Sequence, residues 1–207
     1  MQISNKKRII NNNKVINEMP IVADMPPVNN TQHVQTAPVS SFKNYFKSNI
    51  TSFDSSSTFT HKAAEYIKKN EGMRNKLYKD SKGKWTIGIG HLASPEEIKN
   101  YSGKTLSDAE VEGIFAKDLS SKLTLVRKTF GDTFDSFPED VKIAVLDGFF
   151  RGDLPGSPRT IELLKAKNYK AAAKEYLNNN EYRAAVASGS GVAGRMQRNA
   201  KVYANAR

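Results

Sequence analysis

Glu71 and Asp80 stand nine positions apart, and between them the chain changes from helical periodicity to a short, turn-flanked, strand-like run. Two carboxyl groups held at one corner are the basic equipment for cleaving a glycosidic bond. One protonates the leaving oxygen, and the other stabilises the oxocarbenium-like state or activates water on the opposite face. Glu71 falls in the last turn of its helix, where the negative end of the helix dipole suits a group that must hold a proton until it is needed. Lys68, Lys69 and Arg74 pull the other way.

Asp80 opens the turn Asp80-Ser81-Lys82-Gly83, and aspartate favours such positions for backbone reasons alone. The following run, Trp85-Thr86-Ile87-Gly88-Ile89-Gly90, gives it more weight. Read as one strand, it puts Trp85, Ile87 and Ile89 on a packing face and Thr86, Gly88 and Gly90 on the other. Two glycines on one strand face suggest close approach by a ligand or by another element. A sugar ring is the ligand reading, and a neighbouring helix is the alternative. Thr86, on the open face, would help hold a water beside Asp80.

His91 follows at once. A lone histidine suggests a base or a metal ligand, but a third role fits better here. In the helix after Ser107, Val111, Ile114 and Phe115 form an apolar stripe on which Asp118 also falls. A carboxylate on a core-facing stripe needs a partner, so His91 and Asp118 are expected to form a structural ion pair. No metal site is expected, since His33 and His61 lie in or near the N-terminal segment.

The elements that must position these groups are legible in outline. Residues 1–57 are rich in Asn, Ser, Thr, Pro and Val, with little periodicity, and read as an extended, low-complexity segment. Residues 58–207 read as the folded domain. Thr60 is expected to cap a helix reaching Asn70, with Gly72 ending it in a left-handed turn. Residues 75–78 and 84–90 read as a hairpin. Capping boxes at Ser107–Glu110 and Ser136–Glu139 should start two helices. Further helices are expected over 158–166, 169–177 and 192–203, with Ser157 and Asn168 as caps. The fold class is therefore α+β, a small antiparallel sheet with many helices.

Composition narrows the function classes. With no cysteine among 207 residues, neither disulfides nor thiolate zinc sites are available. The formal charge of +11 predicts attraction to polyanions, including nucleic acid and bacterial envelopes. No recognition helix or stacking platform accompanies the charge, so no specific nucleic-acid partner is expected. No stretch approaches membrane-spanning length. Lys6, Lys7 and Arg8 are followed by only two isoleucines before an asparagine run, so no export signal is read there.

The run Glu71-Gly72-Met73-Arg74-Asn75-Lys76-Leu77-Tyr78-Lys79-Asp80, followed by Trp85-Thr86-Ile87-Gly88-Ile89-Gly90-His91-Leu92, closely resembles the phage lysozyme family of T4-type enzymes. The resemblance implies a lysozyme-like fold, with a β-sheet lobe and a mainly helical lobe joined by a long helix. It implies hydrolysis of the β-1,4 bond between N-acetylmuramic acid and N-acetylglucosamine in peptidoglycan. Glu71 would be the general acid, and Asp80 and Thr86 would hold the attacking water, giving inversion. No cofactor is implied. By the same likeness Leu92, Phe150 and Thr160 line the saccharide groove and Arg151 replaces a polar groove residue. Glu175 departs from the family's asparagine.

The 57 residues before the catalytic helix are the main departure. They suggest an enzyme made in the host cytoplasm and carried in the virion, tail- or particle-associated, to act on the wall in the periplasm. Residues 1–57 would bind another virion protein. The alternatives are an endolysin released through a holin lesion, a lytic transglycosylase, and a structural virion protein that keeps the fold without cutting.

Overall fold

A helix that must deliver its last residue to a fixed place needs a firm stop, and in this computed structural model α1 (Thr58–Glu71) has one. Gly72 adopts φ +72° and donates its N–H to the Lys68 carbonyl at 2.9 Å, closing the helix directly after Glu71. The structure describes residues 58–80 and 82–207, all within one compact unit. The N-terminal segment 1–57, with its expected role as a strap, lies outside the described residues. Helix α1 starts two residues before the Thr60 cap expected from the sequence, and Thr60 is buried.

The sheet has three antiparallel strands in the order β1 (Arg74–Lys79), β2 (Trp85–Gly88), β3 (His91–Leu92). Tyr78 pairs with Thr86 and Lys79 with Trp85, yet Arg74 pairs with Gly88, so β1 carries two extra residues in a bulge. Asn75, within the bulge, binds the sheet to the helical part. Its side-chain amide donates to the Leu106 carbonyl at 2.9 Å and to Asp108 Oδ1 at 2.7 Å, and its own carbonyl accepts from the Leu106 N–H at 2.8 Å.

The single strand expected from Lys84 to Gly90 is instead two strands with a turn between them. Gly88 and Gly90 have φ +66° and +73°, so both turn the chain rather than line one open face. A side chain at Gly88 would meet Val111 Cγ1 at 3.3 Å, which makes the neighbouring helix, not a sugar, the reason for that glycine. Trp85 also departs from the alternation. Ile87 and Ile89 are buried, but Trp85 is 40% exposed beneath the Lys79 ammonium, 5.4 Å from the ring centroid.

Helix α2 (Pro95–Tyr101) follows, opened by a reciprocal capping box between Ser94 and Glu97. Helix α3 (Asp108–Phe130) has the capping box expected at Ser107–Glu110 and extends roughly 34 Å at 1.5 Å per residue. Its buried face (Val111, Phe115, Leu119, Leu123, Val126) begins against the sheet and ends among the helices, which makes it the link between the two lobes.

The helical lobe comprises α4 (Glu139–Arg151), α5 (Pro158–Lys165), α6 (Tyr169–Tyr176), α7 (Asn180–Ala187) and α8 (Gly191–Asn205). Edge-to-face rings run through its core, from Phe130 to Phe137 and Phe149, on to Tyr169, and between Tyr176 and Tyr203. Asn168 caps α6 as expected. One expected cap is corrected: Ser136 gives its hydroxyl to the Thr133 carbonyl and leaves α4 to start after Pro138. Ser157 holds the N-cap position of α5 as expected, but its hydroxyl bonds the Asp153 carbonyl and makes no side-chain cap.

Candidate active site

The C-terminus of α1 presents Glu71 into the angle between the lobes, with its side chain 15% exposed. Arg195 of α8 holds one carboxylate oxygen, at 2.6 Å from Oε1. The other, Oε2, faces Gly90, where a Cβ would stand 3.3 Å away. The bare backbone at Gly90 therefore makes room for Glu71 itself.

Asp80 does build its turn. Oδ1 accepts the N–H groups of Lys82 and Lys84 at 2.9 and 2.8 Å, and the Asp80 carbonyl accepts the Gly83 N–H at 2.9 Å. These bonds fix the carboxylate and commit Oδ1, so Oδ2 is the oxygen that remains for an incoming donor. Thr86 is buried at 3% exposure, not open as the simple alternation implied. Its hydroxyl donates to the Lys84 carbonyl at 3.2 Å, the same oxygen that accepts the Asp80 N–H at 2.9 Å. Asp80 and Thr86 are thus tied through one shared acceptor. With its proton spent on that carbonyl, the Thr86 hydroxyl offers lone pairs to a neighbour.

Tyr78 faces Thr86 across the β1–β2 ladder, and the charges of Glu71 and Asp80 both act on its phenol. Burial raises the Tyr78 pKa first; Arg74 and Arg195 oppose the rise, and Glu71 and Asp80 reinforce it. The Arg74 guanidinium lies 4.4 Å from the Tyr78 ring centroid. Leu92 on β3 pairs with Thr86 from the other side and is 55% exposed, so Tyr78, Thr86 and Leu92 form a row across the sheet.

The remaining groove candidates are placed differently. Phe150 packs edge-on against Phe115, with centroids 5.4 Å apart. Arg151 has a 10% exposed side chain whose guanidinium is held by Asp153 at 2.9 Å and approached by Glu181 at 3.5 Å. Asp153 also accepts the Tyr176 hydroxyl at 2.6 Å. Thr160 is buried, and its hydroxyl has no hydrogen-bond partner.

His91 Nδ1 lies 2.8 Å from Asp118 Oδ2, and Nε2 lies 3.1 Å from Glu97 Oε2. The hydrogen bond to Asp118, assisted by Glu97 against the cost of burial, raises the His91 pKa to about 9. The imidazolium joins β3 to α2 and α3 and takes no place beside Glu71. Among the described residues, no group of three or more His, Asp or Glu side chains is placed to hold a metal ion.

Two site residues were not foreseen. Tyr78 precedes Asp80 by two positions, so strand alternation carried a signal for it. Arg195 had no local signal, because it reaches Glu71 from 124 residues away.

A small sheet lobe and a helical lobe joined by one long helix describe the α+β architecture of lysozymes. The sequence model described as Phage lysozyme matches residues 68–201, and the chain belongs to that family. It is 26% identical to Probable T4-type lysozyme 2 of Dictyostelium discoideum, over 55% of this chain and 81% of that protein. It is 27% identical to the Endolysin of Salmonella phage P22, over 54% of this chain and 75% of that protein. The protein is a lysozyme-type glycosidase, a peptidoglycan hydrolase by family. No described helix is long and apolar enough to cross a membrane.

Proposed function

We propose that this protein hydrolyses the β-1,4 bond between N-acetylmuramic acid and N-acetylglucosamine, with Glu71 as general acid and Asp80 and Thr86 as the holders of the attacking water. The observation that supports this most is the tie between Asp80 and Thr86 through the Lys84 carbonyl, which accepts the Asp80 N–H at 2.9 Å and the Thr86 hydroxyl at 3.2 Å, with Tyr78 opposite Thr86 in the sheet. A water that donates one proton to Asp80 Oδ2 and the other to the Thr86 hydroxyl keeps a lone pair free for the anomeric carbon. As the bond breaks, Glu71 gives its proton to the leaving oxygen and Asp80 takes the proton released by the water, so charge and protons balance with inversion. Leu92, beside Thr86, Phe150 and Arg151 belong to the saccharide groove in this reading, and Thr160, expected there from the resemblance, is buried behind it. Mass spectrometry of digested peptidoglycan tests it: reducing muramic acid ends are expected, and 1,6-anhydro ends would mark a transglycosylase.

The enzyme acts on the wall from the phage particle, held there by another virion protein through residues 1–57. This rests on the length and composition of the segment before α1. Deleting residues 1–57 should abolish incorporation into particles while sparing hydrolysis of purified wall. Unchanged incorporation would remove the anchoring role of residues 1–57, and absence of the full chain from particles would favour a free endolysin.

A further inference from the structure

Asp147 on α4 is only 2% exposed, and the reaction just described makes no use of it. Its carboxylate is held by two amides and by no direct cation among the contacts observed. Asn70 Nδ2 donates to Oδ1 at 3.2 Å and Asn199 Nδ2 donates to Oδ2 at 2.7 Å. A buried carboxylate without a salt bridge is costly, and burial pushes its pKa up against the pull of the two amides. Such a group calls for an explanation in terms of what it holds.

What it holds is the residue next to Glu71. Asn70 uses each of its polar groups: Nδ2 on Asp147, Oδ1 accepting from Arg198 Nη2 at 2.8 Å, and the backbone carbonyl accepting from Arg195 Nη1 at 3.2 Å. That same Arg195 nitrogen is the one 2.6 Å from Glu71 Oε1. The chain of contacts therefore runs from Asp147 through Asn70 and Arg195 to Glu71. On the far side, Asn199 Oδ1 accepts the Tyr66 hydroxyl at 3.0 Å, one helical turn before Asn70. Asp147 sits where α4 and α8 grip the last turn of α1.

The hydrogen-bond directions require an acceptor at this position. Arg198 is a donor only, so Asn70 must turn Oδ1 toward it and Nδ2 toward residue 147. With Tyr66 donating to Asn199 Oδ1, the Asn199 amide N–H also points at residue 147. Two donors converge, and a carboxylate accepts both. An asparagine there would set one N–H against another, and a buried donor left unsatisfied disturbs the packing that carries it.

We propose that Asp147 is a positioning residue for Glu71, acting through Asn70 and Arg195 to fix the direction of the acid at the end of α1. The inference rests on the reading of Glu71 as the general acid. Asp147→Asn should keep the fold by circular dichroism yet lower kcat by about 10- to 100-fold, the scale of loss expected from a small misplacement of a reacting group, with KM unchanged. The exchange Asn70→Asp with Asp147→Asn restores complementarity. The carboxylate placed on α1 would accept from Arg198 and from the new amide on α4, and the oxygen of that amide would accept from Asn199. That double variant should regain most of the lost kcat, and it supplies the test if Asp147→Asn alone does not fold. Wild-type kcat in Asp147→Asn, with Glu71→Gln inactive, would overturn the positioning role and leave the acid in place. A double variant that folds but stays as slow as Asp147→Asn would also overturn it. Wild-type activity in Glu71→Gln would remove the reading beneath it.

Discussion

Glu71 and Gly90 are packed so closely that a methyl group on Gly90 would lie 3.3 Å from Glu71 Oε2. The contact joins the end of α1 to the turn between β2 and β3, and with Arg195 on the opposite oxygen it leaves the acid little freedom. Gly90 also has φ +73°, a backbone conformation that side chains disfavour. Gly90→Ala is therefore expected to lower stability by about 1–2 kcal/mol in denaturant titration, and to slow wall hydrolysis about tenfold by displacing Glu71. An unaltered rate would show that the contact has no catalytic consequence.

The His91 ion pairs predict a pH dependence of stability. The folded-state pKa of about 9 exceeds the ordinary value of 6.5, so the native protein binds the extra proton between these limits. The stabilisation is fully present below pH 6.5 and lost as pH rises through about 9. It amounts to about 3 kcal/mol by proton linkage. The stability difference between the wild type and His91→Ala in denaturant titrations should be about 3 kcal/mol larger at pH 6 than at pH 10. A constant difference would contradict the linkage.

Thr160 offers a test that separates burial from substrate contact. Its hydroxyl is shut away from solvent without a partner. Replacing an unsatisfied buried hydroxyl with a methyl of similar shape removes a desolvation cost, so Thr160→Val should raise stability by about 1 kcal/mol. With the side chain buried as observed, KM for wall fragments should not change. A raised KM would mean that the residue reaches the groove when substrate is bound.

Much of this molecule was legible from local chemistry. The Ser107–Glu110 box started α3 where expected, Gly72 stopped α1, and the stripe through Phe115 led to Asp118. The failures have physical causes. Ser136 and Ser157 carried capping signals but found nearer backbone carbonyls, so the helices after them started without a side-chain cap. Helices α2 and α7 bury almost nothing, no residue in α2 and Ala185 alone in α7, so no apolar stripe stands behind their capping residues, Ser94 and Asn179. The glycines of the Trp85–Gly90 run mark scarce space, but period-two counting carries no sign of two positive φ angles or that the space belongs to Val111 and Glu71. Arg195 and Asp147 act on the corner through tertiary contacts that no window of sequence contains.

Packing within the helical lobe gives an independent check on the fold. A Cβ at Gly148 in α4 would stand 2.9 Å from Leu154 Cβ, so Gly148→Ala forces α4 away from the turn that follows it. Overpacking of this kind is expected to cost about 1–3 kcal/mol. Thermal unfolding should show the loss, and an unchanged midpoint would mean that the two segments do not touch there.

In the proposed mechanism one acid and one water-holding pair share the corner between the lobes. That arrangement is tested most directly by following the anomeric proton of newly released N-acetylmuramic acid ends by NMR during digestion of purified peptidoglycan, with wild type, Glu71→Gln and Asp80→Asn in parallel. The expected results are α-configured initial product from the wild type, no detectable cleavage by Glu71→Gln, and a rate lowered by at least about 100-fold in Asp80→Asn. Initial product of retained β configuration, or wild-type turnover by Glu71→Gln, would contradict it.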